Sequence, residues 1–83
     1  MSFSENINEE KLIEVALAIL SLTAHRDGPG LRAWKNMDWE VMNILYEKGW
    51  ISDPKSKAKS VMLTEEGAAK AEEFMQKHFG TNQ

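Results

Sequence analysis

The sequence contains no cysteine. That excludes a disulfide framework, a thiolate metal site and a cysteine nucleophile. It also lacks a long apolar run: Glu14 and Ser21 interrupt the one stretch that approaches the roughly 18 residues of a membrane span. The opening residues Met1-Ser2-Phe3-Ser4-Glu5-Asn6 carry neither a positive n-region nor a cleavage signal, so no signal peptide is expected and a cytoplasmic protein is. A strong excess of positive charge is absent too. The formal net charge is −3, which argues against a general nucleic-acid binder. What remains is an 83-residue chain, 42% hydrophobic and 28% charged. It is read as one small domain over 1–83, with 1–7 and 80–83 as loosely ordered tails.

The charge is unevenly spread. Residues 1–25 and 61–83 are acidic, whereas residues 26–60 hold seven Lys or Arg against five Asp or Glu. Lys55, Lys57 and Lys59 form one basic group and Arg26, Arg32 and Lys35 a second. Lysines on a loop are ordinarily a solvated surface, and the functional alternative is contact with phosphates.

Periodicity predicts a first helix over 8–24, with Asn6 and Glu9 spaced as a capping box and Glu9 and Glu10 at the positive end of the dipole. Its apolar residues cover nearly the whole circumference, leaving a polar stripe of Glu14, Ser21 and His25 bridged by Ala18. A surface helix needs an apolar arc of only ~100°. The first helix is therefore expected to be enclosed on most sides, in part by a second copy of the protein or another partner, with Leu12, Val15 and Ile19 at that interface.

Arg26-Asp27-Gly28-Pro29-Gly30 breaks the helix. Residues 31–36 are read as a single helical turn anchored by Trp34. Asp38 is expected to cap a helix over 39–48 that Gly49 ends. Residues 50–52 and 60–64 read as two strands of a short antiparallel hairpin, joined by a polar loop that opens with Asp53-Pro54. Thr64 caps a last helix ending at Gly80, its inner face Ala68, Ala71, Phe74 or Met75, and His78 or Phe79. The fold class is thus α+β and mostly α, with three main helices and a two-stranded hairpin.

The passage Tyr46-Glu47-Lys48-Gly49-Trp50-Ile51 through Val61-Met62-Leu63-Thr64-Glu65-Glu66-Gly67 resembles the wing region of winged-helix regulators of the multiple-antibiotic-resistance family. The resemblance spans roughly 38–79. It implies a recognition helix over 38–48 and a wing over 53–59 whose Lys55, Lys57 and Lys59 meet DNA phosphates, with Arg26, Arg32 and Lys35 adding contacts. The exposed positions of that helix here are Asp38, Glu40, Asn43, Glu47 and Lys48. Carboxylates facing a duplex are repelled, so the fold carries over better than DNA recognition does. The whole chain also resembles a small bacterial family catalogued as a domain of unknown function. The pieces carrying that likeness are Asp27-Gly28, Ala33-Trp34-Lys35, Asp38-Trp39, Ile51-Ser52-Asp53-Pro54 and Lys57-Ala58-Lys59-Ser60-Val61.

No residue pattern assembles an active site. His25-x-Asp27 offers two metal ligands without a third, and His25 and His78 read as histidines at helix C-termini, where the ring meets free carbonyls. The serines lack a His–Asp partner, and Gly28-Pro29-Gly30 lacks the spacing of a phosphate loop. No catalytic residue, cofactor, metal or small-molecule ligand is expected. Trp34 and Trp50 are read as core, and Trp39 as a partly exposed interface anchor. The expectation is a non-enzymatic winged-helix-type module for protein–protein contact, as a homodimer or with a partner. The alternative is a DNA-binding regulator using its lysine-bearing wing.

Overall fold

The computed structural model of the chain describes residues 8–35 and 38–80. The elements, in order, are α1 (Glu9–Leu22), β1 (His25–Asp27), β2 (Gly30–Trp34), α2 (Trp39–Glu47), β3 (Ser60–Leu63) and α3 (Glu65–Phe79). Asn8 caps α1, its side chain accepting the Lys11 amide hydrogen at 3.0 Å. The capping role expected of Asn6 thus falls to Asn8, and Asn6 itself lies outside the described residues. At the other end, the Thr23 hydroxyl and amide both donate to the Leu20 carbonyl.

The principal departure from the sequence expectation lies between α1 and α2. The segment read as a break and a helical turn is a β-hairpin. Gly28, at φ 63°, makes the turn that returns β1 onto β2 in antiparallel register, with Arg26 opposite Leu31. β2 then pairs with β3, Leu31 opposite Leu63 and Ala33 opposite Val61, giving a three-stranded antiparallel sheet β1-β2-β3. Alternation explains the choice. Ala33, Val61 and Leu63 are buried on one face, while Arg32, Trp34 and Met62 point to the other. Trp34, expected in the core, therefore stands 59% exposed on the outer face of the sheet. Likewise His25 belongs to a strand and not to a helix end.

The middle helix follows its sequence signals closely. Asp38 accepts the Glu40 amide hydrogen at 3.0 Å as N-cap. Gly49 adopts φ 82° after it, its amide donating to the Tyr46 carbonyl and that of Trp50 to the Leu45 carbonyl. That pair of bonds is a Schellman motif, and its hydrophobic accompaniment is Trp50 and Leu45, both buried. The expected strand over 50–52 shrinks to one bridge, Ile51 to Leu63. The loop is nevertheless tied down. Ser52 exchanges two bonds with Met62, Pro54 is fully buried, and the Asp53 carboxylate accepts the Lys55 amide hydrogen.

Thr64 has two tasks: its hydroxyl caps α3 by accepting from the Gly67 amide and donates to the Gly49 carbonyl at 2.7 Å. Ile13, Leu17 and Leu20 of α1, Met42 and Leu45 of α2, Val61 and Leu63 of β3, and Ala71 and Phe74 of α3 make the core, with Trp50 edge-on to Phe74 at 5.4 Å. Each large side chain buried there contributes roughly 1.5–3 kcal/mol relative to leaving it in water. On the inner face expected of α3, Ala71, Phe74 and His78 turn inward, whereas Phe79 is exposed. Gly80, expected to begin a loose tail, is held by its amide bond to the Gln76 carbonyl.

Candidate interaction surfaces

α1 packs along α3, with Ile13, Ala16, Leu17 and Leu20 in the core and the stripe read as polar along the edge that meets α3. Ala18 is fully buried, Ser21 is half-buried and bonded to the Ala18 carbonyl, and Glu14 reaches α3. The outer face is consequently apolar. Leu12 and Val15 are half-buried, Ile19 is 41% exposed and Leu22 70% exposed. Their spacing of three, four and three places them in one stripe along the helix. Among the described residues, Ile19 and Leu22 are left open, and the stripe includes the three α1 residues named as interface positions from sequence. Trp39, the fourth, is exposed at the start of α2, with Tyr46 two turns along the same face and also exposed.

Leu22 also marks the rim of an apolar groove of about 310 Å³ that runs between α1, the sheet and α3 and is lined by Leu31, Leu63, Ala68 and Met75. The exposed stripe and the groove therefore meet at the C-terminal end of α1.

The basic residues are divided by the fold rather than gathered. Arg32 is occupied on the sheet: its Nε donates to the Asp27 carboxylate at 2.6 Å and its Nη1 to the Ser60 hydroxyl at 2.8 Å. Lys35 braces the loop, its Nζ donating to the Ser56 carbonyl and its amide to the Lys59 carbonyl. Lys55, Lys57 and Lys59 are exposed on that loop, and Arg26 is exposed on β1. Of the two expected groups, then, the loop lysines remain on the surface, while Arg32 and Lys35 hold structure in place.

One cluster was absent from the sequence expectations. Glu14 of α1 meets His78 and Lys77 of α3, with Nε2 of His78 at 2.8 Å and Nζ of Lys77 at 2.9 Å from the same carboxylate oxygen. The Glu14 and His78 side chains are only 13% and 8% exposed, respectively. An ionised carboxylate only accepts, so Nε2 carries the hydrogen. The His78 bond first, and the Lys77 bond second, hold the Glu14 carboxyl below its ordinary value of 4.5, while Glu14 raises Lys77 above 10.5. The separation of 64 positions in sequence hid the pair. Only an acid in the middle of an apolar helix hinted that something must neutralise it.

A carboxyl whose folded pKa is depressed stabilises the fold fully above its unfolded value and loses that contribution as pH falls through the folded value. Glu14→Gln is expected to be less stable than the parent at pH 7, with the difference shrinking steadily as the pH is taken below 4.5. Urea unfolding of the two proteins across that range measures it; a difference independent of pH would show that the carboxylate charge contributes nothing.

Among the described residues, no group of three or more His, Asp or Glu side chains is placed to hold a metal ion. None of their helices is long and apolar enough to cross a membrane.

These features define a small α+β domain with an exposed apolar helix face. Residues 8–81 match the model of the family described as a domain of unknown function (DUF6429), and the chain belongs to that family. It is similar to the "Uncharacterized protein y4hR" of Sinorhizobium fredii (strain NBRC 101917 / NGR234). The two are 41% identical over 73 residues, which cover 88% of this chain and 95% of that protein. No solved structure matches the chain. Neither of these names carries an activity, so the chemistry of the surfaces has to carry the functional reading.

Proposed function

We propose that the chain is a non-enzymatic interaction module that docks another polypeptide on the outer face of α1. One observation carries this reading: a stripe of half-buried Leu12 and Val15 with exposed Ile19 and Leu22, on a helix whose Ile13, Ala16, Leu17 and Leu20 are packed into the core. Large side chains exposed together in one band, opening into an apolar groove, are the mark of a binding face rather than of scattered surface residues. The module is of winged-helix type in this reading. Support comes from β2 and Ile51 flanking β3, with the loop 52–59 between Ile51 and β3 as a wing and α2 ahead of it. The β1–β2 hairpin stands where that pattern has its second helix.

DNA binding through the wing is the second reading, favoured by the exposed Lys55, Lys57 and Lys59 and by Trp34 beside them: the Lys35 amide next to Trp34 bonds the Lys59 carbonyl. It ranks second because Asp27 already neutralises Arg32, and because Asp38 and Glu47 are exposed at the two ends of α2.

The docking reading is tested by photo-crosslinking from a benzoylphenylalanine placed at Ile19, with the same group at exposed Glu66 of α3 as control. A protein adduct from Ile19 alone supports docking on α1. Equal adducts from both positions, or none from Ile19, contradict it.

A further inference from the structure

Resting on that reading, we infer that the occupant of the α1 stripe is a second copy of this chain, whose own α1 lies antiparallel to the first across a two-fold axis. The stripe is self-complementary in that direction. α1 has 14 residues, about 21 Å of helix, and an axis midway between Val15 and Ile19 sets Leu12 of each copy against Leu22 of the other. Val15 then meets Ile19. A spacing of three and four is the one by which helices mesh side chains at a shallow crossing angle of roughly 20°. Isologous pairing of this kind uses one patch twice and closes, as most homo-oligomers do.

Charge decides the direction. The N-terminal end of α1 carries exposed Glu9, while Glu10 lies toward α3 beside Lys77, and the chain leaves the C-terminal end through exposed Arg26. Antiparallel packing brings the acidic end of one copy against the basic end of the other. It also places Lys11 near the last turn of the partner helix, where the carbonyl end of the dipole has no basic residue of its own. Parallel packing would instead stack the acids on each other and align the two dipoles.

The helix pair alone buries less than the ~800 Å² per partner of a standard interface. The groove adjoining Leu22 extends the apolar contact, and association in the micromolar range is expected.

The absence of cysteine from the chain makes a clean test possible. Leu12→Cys and Leu22→Cys proteins are purified separately, checked for native circular dichroism, and oxidised alone or mixed at ~100 μM. A disulfide needs Cα atoms within roughly 7 Å, so the mixed pair is expected to form at least about tenfold more dimer than either protein alone. Preferential linking of Leu12→Cys to itself overturns the antiparallel pairing and leaves α1 as the interface. Sedimentation of the unsubstituted chain at the same concentration covers the case in which the variants do not fold. A mass that stays at 9.4 kDa overturns the second copy as occupant. Adducts from Ile19 to a different protein in that case would keep the docking reading, and their absence would remove it.

Discussion

Gly67→Ala should cost about 3 kcal/mol or more, a large share of the stability of so small a domain. A Cβ at Gly67 would sit 2.7 Å from the carbonyl carbon of Trp50 and 2.9 Å from its Cα, closer still to the carbonyl oxygen. All three are backbone atoms, so no side-chain rotation relieves the overlap. Trp50 has no room to retreat either. Its amide donates to the Leu45 carbonyl, its carbonyl accepts from the Thr64 amide, and its ring is wedged against Phe74. The better helix propensity of alanine returns only about 1 kcal/mol. Against a total stability of ~4–12 kcal/mol for a domain of this size, the clash dominates. Urea unfolding followed by circular dichroism measures it, and a loss below about 1 kcal/mol would mean that the first turn of α3 does not rest on the Trp50 backbone.

Phe74→Ala should be nearly as damaging, at about 3–5 kcal/mol, the range for truncating a large buried aromatic. Phe74 of α3 is buried in the core against the Trp50 ring, which it meets edge-on with centroids 5.4 Å apart. The same substitution provides an optical readout. Trp50 is buried whereas Trp34 and Trp39 are exposed, so the blue edge of the native emission belongs to Trp50. Opening a cavity beside it should shift that edge to the red even in the fraction that stays folded. An unfolding midpoint within experimental error of the parent would show that neighbouring side chains collapse into the space.

Where short-range rules decide the outcome, the sequence could be read almost residue by residue. Asp38 and Thr64 as caps, Gly49 as the left-handed residue after α2, and Val61 and Leu63 on one face of a strand all depend on neighbours within a few positions. The misread parts depend on distant ones. Residues 30–34 are too few to show a helical or a strand period unaided; they become a strand because β3, some thirty positions on, supplies the ladder. Trp34 was placed in the core by its size, yet the register that buries Ala33 necessarily turns its neighbour outward. On α1 the stripe read as polar lies along the contact with α3. Glu14 belongs to that stripe, and His78 and Lys77 neutralise it against α3. The apolar residues on the opposite side are then the ones left open. The surplus of apolar side chains behind the expectation of an interface at Leu12, Val15 and Ile19 is legible, because nine apolar residues in fourteen exceed what one face of one helix buries. Which side of α1 stays open was not legible, since that depends on the packing of α3.

The central claim is that the outer face of α1 receives a protein partner. Photo-crosslinking from Ile19 tests it most directly, because the side chain stands 41% exposed on that face. The account predicts a discrete protein adduct from Ile19, absent from Glu66 and lost when Leu22 is also replaced by lysine. A chain that crosslinks equally from both positions, or whose Ile19 captures nothing while the loop lysines retain nucleic acid, would contradict it.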